Sequence, residues 1–232
     1  ILKSTGKLEK VFTRDAVIGG ICCGICLFFA SSFQQWGIQR SPVGKASFIT
    51  ALYVVIVPIL GMLFGHKTTW RIWVSVAIAI VGLYLLCMTG SLALSSGDIY
   101  LIICAVLFAG HILVIDHFSP RANGVVISSI QFMVAGILSY IAMPIFGERF
   151  DWSLIAAGGT AILYAGILSS GVAYTLQVVF QKDVDPTAAS LIMCLESVFG
   201  AVGGWLFLGQ VLSIKELIGC VLMFIAIVLA QI

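Results

Sequence analysis

Eight apolar runs follow one another through this chain, each close to or beyond the roughly 18 to 20 residues that a helix needs to cross a bilayer. They occupy 15–38, 45–64, 71–88, 98–116, 124–146, 154–180, 186–208 and 214–230. Short polar, Gly, Ser and Pro connections separate them, so little chain is left for an extramembrane domain. Only 9% of the 232 residues are charged, against about 25% in an ordinary soluble domain. The expected fold class is therefore an all-α polytopic membrane protein with eight transmembrane helices. Twelve Lys and Arg balance ten Asp and Glu to a net charge of +2, and no basic block forms an electrostatic footprint for nucleic acid.

The seven cysteines, at 22, 23, 26, 87, 104, 194 and 220, lie almost wholly inside apolar runs and lack the even, loop-based spacing of a disulfide framework. Cys23 and Cys26 form a C-x-x-C, but no partner set stands at metal-site spacing, so they read as small buried packing groups. Neither a metal nor a cofactor is expected. No G-x-S-x-G, H-E-x-x-H or P-loop is present. The reading is not an enzyme, and an ATP-driven pump would need a soluble nucleotide-binding domain for which there is no room.

Local signals mark the boundaries. Ser41-Pro42 and Asp185-Pro186 place a proline ahead of a helix or in its first turn, where the missing N–H costs nothing. Asp98 and Asp151 stand where a carboxylate caps or favours the positive end of the next helix. Residues 119–124 form a turn-rich joint. Pro58 falls inside the second run and is expected to kink it. The tail and the loops on its side carry Lys3, Lys7, Lys10, Arg14, Lys67, Arg71, Arg121 and Lys182, whereas the opposite side has Arg40, Lys45, Arg149 and Lys215. The positive-inside rule then places both ends of this chain in the cytoplasm.

An internal repeat is the most informative pattern. Ala46-Ser47-Phe48-Ile49 recurs as Ala189-Ser190-Leu191-Ile192, 143 positions later, and Gly61 recurs as Gly204 at the same offset. Pro42 and Pro186 precede the two matches, and Gln35-x-x-x-Gln39 echoes Gln177-x-x-x-Gln181. The first three runs thus match the last three, five helices apart. An odd separation makes the copies enter the membrane in opposite directions, the inverted-repeat plan of many secondary transporters. This divides the chain into a polar segment 1–14, the last three helices of a first repeat at 15–88, and a five-helix second repeat at 98–230. By the same offset the parent is expected to have ten helices and about 290 residues, of which these are the last eight.

Ionisable groups at membrane depth are costly, which makes each a functional candidate. Glu196, ten residues into the seventh run with no Lys or Arg within a turn, is either a cavity carboxyl that binds substrate or accepts a proton, or a hydrogen-bonded staple between helices. His111, mid-way along the fourth run, either faces the pathway or donates within the bundle. Gln35 and Gln177, with Gln131 and Tyr174, suit a polar cavity wall or interhelical hydrogen bonds. Asp116 and His117 suit a gate or a helix end. Pro58, Pro186, Gly200 and Gly204 set backbone shape, and Gly20-x3-Gly24, Gly61-x3-Gly65 and Gly200-x3-Gly204 permit close helix approach. Five tryptophans, at 36, 70, 73, 152 and 205, lie mostly near run ends, as an interfacial belt requires.

The stretch from Pro186-Thr-Ala-Ala-Ser through Leu195-Glu196-Ser197-Val198-Phe199 to Gly209-Gln210 resembles the EamA-type family of the drug/metabolite transporter superfamily. Members typically show a proline-led small-residue stretch, a Glu-Pro-Val-Phe-like step and an apolar run ending in Gly-Glu. This chain keeps Glu196, Val198, Phe199 and Gly209 and departs at Ser197 and Gln210. In the first copy Pro58 keeps the family's helix proline, but no carboxylate precedes it between Tyr53 and Val57. The resemblance implies ten helices in two inverted repeats, an inner-membrane location, and export or uptake of small metabolites.

Together these readings describe a secondary transporter that moves a small polar or amphipathic metabolite by alternating access. Its expected partners are that substrate, the lipid bilayer, protons for coupling and a second copy in a homodimer. The rival readings are a membrane assembly protein whose polar groups only join helices, and an intramembrane enzyme.

Overall fold

The computed structural model describes residues 12–66, 68–88, 95–148, 150–209 and 211–231. The polar segment with Lys3, Lys7 and Lys10, and Lys67, Arg149 and Gln210, lie outside the described residues. Regular structure among the described residues is entirely helical. α1 spans Arg14–Ile38, α3 Trp70–Cys87, α4 Ser96–Phe118, α5 Gly124–Ile145 and α8 Ile214–Gln231. α2 is two half-helices, Val43–Ala51 and Tyr53–Leu63, and α7 is likewise Pro186–Met193 and Leu195–Leu208. α6 begins as Trp152–Ala157 and Gly159–Leu163, winds as a π-helix over Tyr164–Tyr174, and closes through Thr175–Phe180 and a 3-10 turn at Gln181–Asp183. Among the described residues eight spans are long and apolar enough to cross a membrane, with ends close to those expected.

The caps follow the sequence signals. Asp151 accepts from the N–H groups of Ser153 and Leu154, and Asp185 from those of Thr187 and Ala188 with Pro186 in the first turn. The Ser153 hydroxyl and N–H, with the Leu154 N–H, hold the exposed Asp151 carboxyl below the usual carboxylate range. Asn123 caps α5 through Val125 and Val126. Pro58 does not mark the break in α2: that lies at Leu52, six positions upstream, and Pro58 sits inside the second half-helix. The π-turns of α6 are a second departure from the continuous helix expected over 154–180.

Outward faces are apolar, as hydrocarbon requires. Ile21, Ile25 and Phe29 form one exposed stripe along α1. Interior faces mix aliphatic residues such as Leu83, Leu101, Ile112 and Ile127 with small and polar ones such as Ala30, Ser75 and Gln131.

The chain packs as two compact units. The first holds residues up to Phe28 together with Val114–Val184. Its core is Ala16, Cys23, Ile115, Val126, Ile127, Ile130 and Val178. Gly20 and Gly24 let α1 lie directly on α5: a Cβ at Gly20 would stand 2.6 Å from the Ile130 Cβ, and one at Gly24 2.7 Å from the Gln131 carbonyl. A hydrogen bond of 2.7 Å joins the hydroxyls of Ser128 and Thr175, fastening α5 to α6.

The second unit holds Phe29–Leu113 and Asp185–Ile232. Ala46, Ile49 and Leu101 form an apolar cluster between α2 and α4. α3 and α8 meet glycine to glycine, with a Cβ at Gly219 placed 2.7 Å from the Gly82 carbonyl and 2.8 Å from the Leu86 nitrogen. Side chains at these two positions would force the helices apart, at about 1–3 kcal/mol for each overpacked site. The first turn of α2 is fastened by a buried ion pair, Lys45 Nζ to Asp98 Oδ2 at 2.5 Å. Asp98 also accepts from Ser41 Oγ at 2.9 Å, Ser95 Oγ at 2.9 Å and Ser95 N at 2.7 Å. The expected capping aspartate is thus the centre of a buried polar knot.

Candidate functional site

Within the second unit, α2 and α7 enclose a cavity of about 740 Å³. α2 contributes Val43, Gly44, Ser47, Thr50, Ala51 and Tyr53, and α7 contributes Met193, Cys194, Glu196, Ser197, Gly200 and Ala201. Both sets recur at three- and four-residue intervals, which puts each on one helical face. Gln34 of α1, Leu86 and Cys87 of α3 and Glu216 of α8 complete the wall. The space exists because so many lining residues are short. At Gly200 an added Cβ would meet nothing within 4 Å, so this glycine leaves room rather than admitting a neighbouring helix.

The two halves of each lining helix meet in the wall of this cavity. At the α2 break the Leu52 N–H donates to the Ile49 carbonyl at 3.1 Å and the Val55 N–H to the Leu52 carbonyl at 2.9 Å. At the α7 break the Ser197 N–H donates to the Cys194 carbonyl at 3.2 Å. These three-residue bonds tighten the chain and reset the helix phase. The Cys194 thiol points from one break to the other, 3.9 Å from the Ala51 carbonyl and 3.8 Å from the Tyr53 hydroxyl. Ala51 and Cys194 are 143 positions apart, the offset of the internal repeat. The same offset separates Tyr53, a phenol, from Glu196, a carboxylic acid.

The break places Glu196 in the first turn of the second half of α7. Among the described residues no hydrogen bond or ion pair engages its side chain. Glu216 is engaged: Ser213 donates to its Oε2 from both N and Oγ at 2.7 Å, and the Glu216 N–H returns a bond to Ser213 Oγ at 3.3 Å, a capping box that starts α8.

Of the residues singled out from sequence, Glu196 and Gly200 line the cavity. Gln35 is exposed and does not, while the adjacent Gln34 does. His111 is buried in the same unit, outside the lining. Pro58 is buried in the second half of α2, Gly204 is buried on α7, and Pro186 opens α7. Gln131, Gln177 and Tyr174 belong to the first unit. There Gln131 is buried, Gln177 donates to Gln181 Oε1 at 3.3 Å, and Tyr174 packs edge-on to Phe132. Asp116 is half-buried, and His117 receives a hydrogen bond from Arg121 at the exposed end of α4. Sequence reasoning missed Tyr53, Gln34 and Cys194. The repeat offset was the available signal for Tyr53.

Comparison with known proteins agrees with this architecture. The profile of the EamA-like transporter family matches residues 3–88 and 95–231. An uncharacterized transporter of Archaeoglobus fulgidus is 28% identical over 213 residues, covering 91% of this chain and 68% of its own. The uncharacterized inner membrane transporter YedA of Escherichia coli is 25% identical over 191 residues, covering 82% of this chain. The chain spans only 62% of that relative's length. A solved crystal structure superposes with a TM-score of 0.75 over 99% of this chain and 91% of its own, at 15% identity, which is a likeness of fold.

Proposed function

The chain belongs to the EamA-like transporter family, and from that premise we propose that it works as a secondary transporter, moving a small polar or amphipathic metabolite by alternating access through the α2–α7 cavity. The observation that carries this reading is the pair of half-helix breaks facing one cavity, at Leu52 and Cys194, within one residue of the 143-position offset. Broken helices at such a position offer a substrate exposed backbone groups and a small bistable joint, which continuous helices lack. Glu196 is the coupling or substrate-binding carboxyl in this reading, and Tyr53 and Gln34 are neutral polar contacts. The membrane is an inner membrane, and the Lys and Arg distribution puts both ends of this chain on its cytoplasmic side.

Reconstitution into liposomes and a screen of labelled amino acids, amines, nucleosides and sugars, with and without a pH gradient, tests the proposal. Saturable flux that Glu196→Gln diminishes is the expected result. Flux that Glu196→Gln leaves unaltered removes the assignment of this carboxyl, and no flux for any class favours an assembly role.

A further inference from the structure

The charge inventory of the second unit separates acids from bases. Two carboxylates, Glu196 and Glu216, line the cavity, and among the described residues no Lys, Arg or His belongs to its lining. Three bases of the unit are committed elsewhere. Lys45 holds Asp98. Lys215 donates to the Met88 carbonyl at 2.7 Å, with its ammonium 5.3 Å from the centre of the Tyr84 ring. Arg40 donates to the Trp36 carbonyl at 2.9 Å and stacks 5.6 Å from the centre of the Tyr100 ring. Each cation is thus drawn to a carbonyl, an aromatic face or a carboxylate outside the cavity.

Inside, the capping box holds Glu216 through hydrogen bonds that donate no positive charge. Glu196 has no partner among the described residues. An anion entering this space would meet the Glu196 carboxylate with no base beside it, whereas Glu216 has the charge of the adjacent Lys215 to offset it. A cation would meet its counter-charge. The rest of the wall suits an apolar body: Val43, Leu86 and Met193 are apolar, and Tyr53 adds an aromatic ring whose face attracts cations.

We propose that the cavity selects an organic cation, a molecule that joins an ammonium group to an apolar body, with Glu196 as its counter-charge. The proposal narrows the substrate class within the transport reading and rests on it.

Equilibrium binding to the purified protein in phosphatidylcholine nanodiscs tests it, with four probes of nearly one shape: phenethylammonium, phenylalanine, 2-phenylethanol and 3-phenylpropanoate. Phenethylammonium is expected to bind at least about tenfold more tightly than the alcohol and the carboxylate. Glu196→Gln should erase that preference while leaving the unfolding temperature in detergent in place. Ala201→Phe and Ser47→Leu, which fill the cavity from opposite walls, should weaken all four probes; a variant that fails to fold is set aside in favour of the other. Equal or tighter binding of 3-phenylpropanoate, or a preference that survives Glu196→Gln, overturns the cation assignment. If the filling variants still remove binding in that case, the cavity stands and only the substrate class falls. If folded filling variants leave binding unchanged, or if none of the four probes binds, the cavity reading falls and this inference with it.

Discussion

α2 and α7 share a backbone plan and differ in what they put on it. Each begins next to a proline, runs for about two turns, breaks at Leu52 or Cys194, and resumes. Past the break α2 carries Tyr53 and Pro58, whereas α7 carries Glu196, Ser197 and Gly200. At its start α2 is tied down by the buried Lys45–Asp98 pair, whereas α7 has the N-cap of Asp185. The two helices therefore share the joint and differ in the side chains. The joint is a property of the backbone, while the carboxyl beside it is carried by α7 alone.

Removing the side chains at the break should expose that division most strongly. Glu196→Gln is expected to lower substrate flux by roughly 10- to 100-fold, the loss of a charge-assisted contact, and Tyr53→Phe by about 3- to 10-fold, the loss of a neutral one. Initial rates in proteoliposomes measure both, and equal losses would mean that the copies contribute alike.

The anchors come next in size. Lys45→Met leaves the buried Asp98 carboxylate without its ammonium and should lower the unfolding temperature in detergent by roughly 10 °C. Asp185→Ala removes an N-cap and should cost about 1 kcal/mol, or 2–4 °C. Similar losses for the two would show that the ion pair does no more than a cap does.

Smallest of all should be Ser197→Pro, which places a proline in the first turn of the second half of α7. The break in α7 forms without proline, and the N–H that would be lost makes only the 3.2 Å bond to the Cys194 carbonyl in the first turn of a half-helix. Proline is tolerated there. A change in stability under about 1 kcal/mol is expected in thermal unfolding, and a large loss would mean that this hydrogen bond holds the joint.

How far all this could be read from the sequence depends on the range of the cause. The spans were legible because hydrocarbon demands long apolar runs, and the cap at Asp151 because a carboxylate next to a helix start acts on N–H groups two and three residues away; Asp185, read only as preceding a proline, caps as well, and Asp98, read as a cap, pairs with Lys45. The breaks were not legible. Neither Leu52 nor Cys194 is Gly or Pro, and Pro58 drew attention to a place where the helix continues. Gln35 was chosen from a four-residue spacing that identifies a stripe but not the face it presents, and the cavity took Gln34, about 100° away round the helix. Tyr53 carries no local signal of its own, and only the 143-residue offset that links Ala51 to Cys194 links it to Glu196. The π-helical stretch of α6 has a run of Ser and Gly at 169–171 but no local signal that distinguishes it from loose α-helix.

The most direct test introduces one reactive group into the cavity wall and watches transport. In a cysteine-free background, Ser47→Cys is treated with a membrane-impermeant methanethiosulfonate during substrate flux. A cavity that carries substrate predicts that the position is labelled from the side of the α1–α2 connection, that substrate slows the labelling, and that modification stops the flux. Complete modification with flux undiminished would contradict it.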